Sequence, residues 1–264
     1  MRFKDKVVFV TGGSKGLGKA LALSFLKEGA KVGVNGRDLR SLETLKEEYR
    51  EDSLTVYQGD ILDYKRMEEI VNDFVTKNQR IDILVNNAGI VNPLLPAEKI
   101  TKEDFDKVID VNLKGTFYVT QLFGKKMIEK GFGRIINISS QAGFFGEKGF
   151  LPYALSKGAI ILMTRILSYE WAPYGITVCG VAPGFIKGGM NENLIKKEIF
   201  VDFLSKRTPS GRMAEVQEFV SLVLFLASEE AHYINGETIT LDGGMTGFVR
   251  DTLVDFITSL KKGK

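Results

Sequence analysis

Short apolar runs alternate along this chain with longer segments whose apolar residues recur at helical spacing. The runs at 6–10, 31–35, 54–58, 81–85, 134–139, 176–181 and 237–241 are rich in valine and isoleucine and are bounded by glycine, asparagine or proline, so they predict strands. Between them, apolar periodicity predicts helices running from the glycine turn at 11–18 to Lys27 and from Asp38 through Tyr49. Further helices are predicted at 67–75, 102–111, 116–130, 152–171 and 216–227, with a polar helical stretch over 191–207. Pro152 suits the first turn of its helix, and Asp38 suits an N-cap. After Gly247, the residues Val249, Leu253, Phe256, Ile257 and Leu260 form one more amphipathic stripe.

Strict alternation of strand and helix predicts an α/β fold. It is a single-domain, Rossmann-type, doubly wound parallel sheet of seven strands with helices on both faces. No linker, repeat or low-complexity tract divides residues 1–247, and residues 248–264 are expected to extend the same domain. In such sheets the ligand lies at the C-terminal strand edge, and Thr11, Asn86, Ser140 and Pro183 all fall just after strands.

Composition narrows the chemistry. With 264 residues, 44% hydrophobic and 26% charged, the chain can bury a large core, and no apolar run approaches the ~20 residues that span a bilayer. The apolar run 7–10 is too short for a signal-peptide core, so a soluble, cytoplasmic protein is expected. Cys179 is the only cysteine and His232 the only histidine, which argues against a disulfide or a zinc site, and no bound metal is expected. A net charge of +3, with both signs interleaved, gives neither a nucleic-acid footprint nor a membrane patch.

The candidate chemistry sits in two stretches. Thr11-Gly12-Gly13-Ser14-Lys15-Gly16-Leu17-Gly18, between strand and helix, would let backbone N–H groups approach a pyrophosphate at a helix N-terminus. Its Gly12, Gly16, Gly18 spacing differs from the G-x-G-x-x-G fingerprint. After the second strand an acidic residue would hold the ribose hydroxyls of NAD, whereas here Arg37 stands there and Lys15 adds a second cation, so NADP is expected over NAD. The second stretch holds Tyr153 and Lys157, which share one helix face at i, i+4. A lysine ammonium beside a phenol favours the phenolate and would draw its pKa toward working pH, making the tyrosine a usable general acid or base. Ser140, in the loop after a strand, could hold a substrate oxygen against that phenol.

Taken in order, Thr11-Gly12 with Gly16 and Gly18, Asn86-Asn87-Ala88-Gly89, Asn112, Ser140, Tyr153 with Lys157, and Pro183-Gly184 resemble the short-chain dehydrogenase/reductase family over residues 5 to 247. The resemblance implies hydride transfer between a nicotinamide and a carbonyl or alcohol without a metal. Tyr153 would be the proton donor, Lys157 its tuner and ribose ligand, Ser140 the group orienting the substrate oxygen, and Asn112 the anchor of a water in a proton relay. Coenzyme contacts are implied for Thr11, Gly12, Ser14, Lys15, Gly16, Leu17, Gly18, Arg37, Asp60, Ile61, Asn86, Ala88, Gly89, Pro183, Gly184 and Ile186, together with Tyr153 and Lys157. Substrate contacts are expected from Ser140, Gln141, Phe144, Phe150, Tyr153, Phe185 and Met190, with Leu94, Leu95, Phe145, Leu151 and Lys187 nearby.

That mostly apolar lining favours a 3-oxoacyl, diketone or aromatic ketone. Two departures matter for the details. Gly188 stands where the family commonly has a threonine bonding the nicotinamide carboxamide, and Tyr174 precedes Gly175 where carrier-protein reductases usually have a basic residue. Residues 170–176 also look like the sugar-acid and polyol dehydrogenase branch, and a catalytically idle dinucleotide-binding scaffold is the rival from another class. A homotetramer is what the family resemblance implies.

Overall fold

The protein is described by a computed structural model covering residues 1–49, 52–188 and 198–247. Each apolar run forms a strand: β1 Val7–Val10, β2 Lys31–Gly36, β3 Leu54–Gln58, β4 Ile83–Asn86, β5 Gly133–Ile138, β6 Ile176–Pro183 and β7 Thr238–Leu241. They form one parallel sheet in the order β3-β2-β1-β4-β5-β6-β7. The helices are α1 Gly16–Lys27, α2 Leu39–Glu48, α3 Tyr64–Asn78, α4 Lys102–Ile109, α5 Thr116–Lys130, α6 Leu151–Trp171, α7 Glu198–Arg207 and α8 Val216–Ala227.

The two faces follow from the period-2 alternation of a strand. In β1, Val8 and Val10 join Leu21 and Phe25 of α1, Leu42 and Leu45 of α2, and Phe219 and Val223 of α8 in one core. Val7 and Phe9 point the other way, into a core with Phe74 of α3, Val119 and Phe123 of α5, and Leu167 of α6. The strand order reverses at β1, which pairs with β2 on one side and β4 on the other, and this switch point opens a crevice at the C-terminal edge.

Several boundaries moved for local reasons. Helix α3 begins before the expected 67, because the Asp63 carboxylate accepts the Arg66 N–H and caps it. Strand β6 runs two residues past the expected 181, to Pro183, paired with β7. The expected break between helices at Asn112 is instead a π-helical turn over Asp110–Gly115 that joins α4 to α5. Asp38 does occupy the N-cap of α2, but its side chain makes no cap bond, being engaged by Lys15 and Ser41. The expected stripe after 247 and the first part of the 191–207 helix lie outside the described residues. No described helix is long and apolar enough to cross a membrane.

Candidate active site

A cleft of about 540 Å³ occupies the switch point. The turn after β1 forms its floor, and α1 starts there at Gly16 with its N–H groups directed toward the cleft. Gly18 has no room for a side chain: a Cβ would lie 2.3 Å from the Gly12 carbonyl oxygen and 2.4 Å from Asn87 Nδ2. This packing holds the turn flat against β4, a cradle suited to a pyrophosphate. Three other side chains hold the cradle in shape. The Thr11 hydroxyl accepts the Asn87 and Ala88 N–H groups at 2.9 and 3.0 Å. Asn87 Nδ2 donates to the Thr11 carbonyl at 3.0 Å. Asn35 Oδ1 accepts the Gly12 N–H and its Nδ2 donates to the Gly59 carbonyl, both at 3.2 Å, so one side chain of β2 links the ends of β1 and β3.

The far end of the cleft is charged. Lys15 Nζ lies 2.6 Å from Asp38 Oδ2, and this ammonium, with the Ser41 hydroxyl, holds the Asp38 carboxyl down at about 2. Arg37 sits 3.8 Å from Asp60. Both cations expected to meet a phosphate are thus paired, Lys15 closely and Arg37 loosely, and solvent-exposed.

At the near end, Tyr153 and Lys157 project from the buried face of α6, and both line the cleft. Burial raises the Tyr153 pKa, while a hydrogen bond from the Ser140 side chain lowers it. Lys157 is 4% exposed; burial brings its ammonium down to about 8, and Nζ donates to the Ile138 carbonyl at 2.8 Å. Its Nζ lies 5.8 Å from the centre of the Tyr153 ring. Ser140 is the group acting to lower the phenol, and the lysine is held by a backbone carbonyl.

Asn112 lies in the π turn, 1% exposed. Its Oδ1 accepts the Ile90 N–H at 2.8 Å, and its Nδ2 donates to the Ile90 carbonyl at 2.8 Å and to Ser156 Oγ at 3.0 Å. The side chain expected to anchor a water is largely committed to pinning the loop after β4 onto α6. A further residue, Asn92, was not legible as functional. Its Oδ1 accepts the Tyr153 N–H at 3.4 Å while its Nδ2 bonds the Gly149 carbonyl at 2.9 Å, which substitutes for the side-chain cap that α6 lacks at Phe150.

Of the expected coenzyme residues, Gly12, Ser14, Lys15, Gly16, Leu17, Gly18, Arg37, Asp60, Ile61, Ala88, Gly89, Tyr153, Lys157 and Pro183 line the cleft. Asn86 does not: strand alternation turns its side chain into the core, where Nδ2 bonds Thr120 and Asn137 at 2.7 and 2.8 Å, and Asn87 faces the cleft instead. Thr11 acts through the backbone bonds given above, while Ile186 is buried and Gly184 lies beneath Gln141, none of the three lining the cleft. On the substrate side, Ser140 and Phe150 lie at Tyr153, the Phe150 ring centre 6.3 Å from that of the tyrosine, whereas the buried Gln141 side chain packs against Gly184 and does not line the cleft. Phe144 is exposed, Phe185 lines a separate small cavity beside Leu241 and Asp242, and Met190 lies outside the described residues. Lys187 is paired with Glu215. Cys179 is buried with its thiol pushed up to about 11, a packing residue.

A family model described as short chain dehydrogenase matches residues 6–199. A 3-oxoacyl-acyl-carrier-protein reductase, FabG, of Thermotoga maritima is 40% identical over 247 residues, covering 93% of this chain and 99% of that protein. A gluconate 5-dehydrogenase of Gluconobacter oxydans is 35% identical over 243 residues, covering 90% of this chain and 93% of the relative. The crystal structure of a gluconate 5-dehydrogenase from Burkholderia cenocepacia in complex with NADP and tartrate superimposes with a TM-score of 0.88 at 34% identity, covering 94% of this chain and 98% of that one. With a dinucleotide cradle at the switch point and a buried tyrosine and lysine beside it, the chain belongs to the short-chain dehydrogenase family and is an NAD(P)-dependent oxidoreductase.

Proposed function

We propose that the protein is an NADPH-dependent reductase that converts a ketone to a secondary alcohol with Tyr153 as the proton donor. The observation that carries this reading is that Tyr153, hydrogen-bonded by Ser140, and Lys157 line one end of a cleft whose other end is the glycine turn after β1. A bound nicotinamide coenzyme would supply the hydride. The chain's own part is to bind, orient and move a proton. Ser140 holds the substrate oxygen against the phenol, the Tyr153 hydroxyl gives up its proton, and Lys157 would hold the nicotinamide ribose. Asn112 fixes the Ile90 loop and Ser156 so that the lysine end of the cleft keeps its shape. A decrease in reduced-nicotinamide absorbance with a ketone panel tests the reading, and coenzyme binding without turnover of any carbonyl or alcohol would leave the idle-scaffold alternative.

Lys15 and Arg37 at the adenosine end support NADPH over NADH, with Asp38 and Asp60 tempering the preference. Charge-assisted hydrogen bonds to a phosphate contribute roughly 1.5–3 kcal/mol each. Arg37→Asp is therefore expected to lower the NADPH-to-NADH ratio of kcat/KM by about 10- to 100-fold, and an unchanged ratio in coenzyme titrations would remove the assignment.

A soluble cytoplasmic homotetramer is the accompanying reading. Leu155, Leu162, Ile166 and Tyr169 are exposed along one face of α6, with Phe117 exposed on α5, an apolar stripe that calls for a partner surface. Leu162→Glu combined with Ile166→Glu is expected to shift size-exclusion elution from tetramer to smaller species, whereas an identical elution volume would exclude this face. The preferred substrates are 3-oxoacyl, diketone or aromatic ketones. A sugar-acid or polyol dehydrogenase is the second reading, favoured by the likeness to two gluconate 5-dehydrogenases.

A further inference from the structure

The segment after β4 inverts the usual polarity of a loop. Val91 is 41% and Leu94 64% exposed, whereas Asn92 between them is 4% exposed. Buried amides are nearly always hydrogen-bonded, and the partners of Asn92 are backbone groups. Its Nδ2 donates to the Gly149 carbonyl at 2.9 Å and to the Pro93 carbonyl at 2.6 Å, and its Oδ1 accepts the Tyr153 N–H at 3.4 Å. That N–H needs an acceptor from outside its own helix. It lies in the first turn of α6, where N–H groups have no intrahelical partner, and Phe150 at the N-cap position offers no side-chain cap.

The Tyr153 carbonyl is held as well. Ser156 Oγ donates to it at 2.7 Å and accepts Asn112 Nδ2 at 3.0 Å. The N–H and the carbonyl of the proposed proton donor are therefore each engaged by a side chain, one from the loop after β4 and one from its own helix backed by the π turn. Two asparagines also fix the two ends of the segment from Ile90 to Asn92. Asn112 bonds the N–H and the carbonyl of Ile90, both at 2.8 Å, and Asn92 reaches Tyr153 and Gly149. Resting on the proposed reduction at this site, we infer that Asn92 is a positioning residue, which splints the backbone of Tyr153 to the loop after β4 so that the phenol stays at Ser140 and the cleft. Asn92 does not itself line that cleft, so it acts through the tyrosine. The phenolic oxygen stands at the far end of its side chain, and a small rotation of the first helical turn displaces it by more than the backbone moves. Misplacing reacting groups by about 1 Å can cost about 10²-fold in rate.

The test uses two substitutions. Asn92→Leu removes donor and acceptor at similar volume, and Asn92→Asp keeps the acceptor for Tyr153, its charge favoured at a helix N-terminus, while giving up the donor to Gly149. Ketone reduction is followed by reduced-coenzyme absorbance, with kcat expressed per coenzyme-binding site so that misfolded protein is not counted, and the coenzyme Kd is read from reduced-nicotinamide fluorescence. Asn92→Leu is expected to lower kcat about tenfold with the coenzyme Kd within about twofold of wild type, and Asn92→Asp to stay within about threefold of the wild-type kcat. An unchanged kcat in Asn92→Leu overturns the inference. So does a Kd that worsens along with kcat, or an equal loss in both variants, since either identifies a residue that supports the fold in general. One measurement on the wild-type protein stands whether or not the variants fold. The Tyr153 N–H is expected to exchange with solvent at least about tenfold more slowly than an open first-turn amide, and rapid exchange overturns the inference. Turnover of no carbonyl by the wild-type protein, with NADPH or NADH, overturns the reductase reading and the inference with it.

Discussion

Tyr153→Phe is expected to lower kcat by 10³-fold or more while leaving the fold intact. The substitution removes one hydroxyl from a side chain that is 9% exposed and keeps the ring that packs against Phe150 and Lys157. A positioned general acid contributes roughly 10²–10⁴-fold, and here the tyrosine is the acidic group that lines the cleft beside Ser140. The Ser140 hydroxyl would lose its partner but can turn to solvent or substrate, so a large loss of stability is not expected. Assay by reduced-coenzyme absorbance, with circular dichroism as the fold control, would decide it. Residual turnover above a few per cent would mean another group delivers the proton.

The same residue sets the expected pH dependence. Reduction uses the protonated phenol and oxidation the phenolate. Because burial raises the Tyr153 pKa above its ordinary value, the acid form persists across neutral and mildly alkaline pH. Reduction should accordingly stay level from pH 6 to about 8, where Lys157 begins to lose its charge, whereas alcohol oxidation should climb over the same range. A reduction rate that falls already through pH 7 would show that the coenzyme complex brings the phenol down, the role first expected of Lys157.

What was legible in the sequence, and what was not, divides along physical lines. The sheet, its strand count and the glycine cradle could be read because each depends on local periodicity or on residues a few positions apart, as with Gly12, Gly16 and Gly18. The charge at the adenosine end could be read from Lys15 and Arg37, but their counterions Asp38 and Asp60 come together only in three dimensions. Asn35, Asn87 and Asn92 went unassigned because each binds backbone groups of segments distant in sequence, up to 76 residues away for Asn87 and Thr11. Asn86 was assigned to the cleft in place of Asn87 because a motif does not reveal which way each residue of a strand faces. The desolvation that lowers the Lys157 pKa is likewise not evident from spacing, because it depends on burial by segments distant in sequence.

That burial makes Lys157→Met the second decisive variant, because it should improve stability while abolishing activity. The folded-state pKa of about 8 lies below the ordinary lysine value of 10.5. The unfolded chain therefore binds more protons between these values, and stability contributed by this group rises with pH across that window. Below pH 8 the buried ammonium costs a constant amount, about 3 kcal/mol from the size of the shift. Methionine fills a similar volume without charge, and loses one charge-assisted hydrogen bond to the Ile138 carbonyl worth roughly 1.5 kcal/mol or more. A net gain of up to about 1.5 kcal/mol at pH 7 follows, or a melting temperature higher by roughly 3 °C. The advantage should vanish by about pH 10.5, where the native lysine is neutral. Melting curves of both proteins at pH 7 and 10.5, beside turnover assays, measure both halves. A melting temperature lowered equally at the two pH values would show that the lysine is structural, whereas greater stability with lost turnover identifies a charge retained in the core for its work on the coenzyme and the proton.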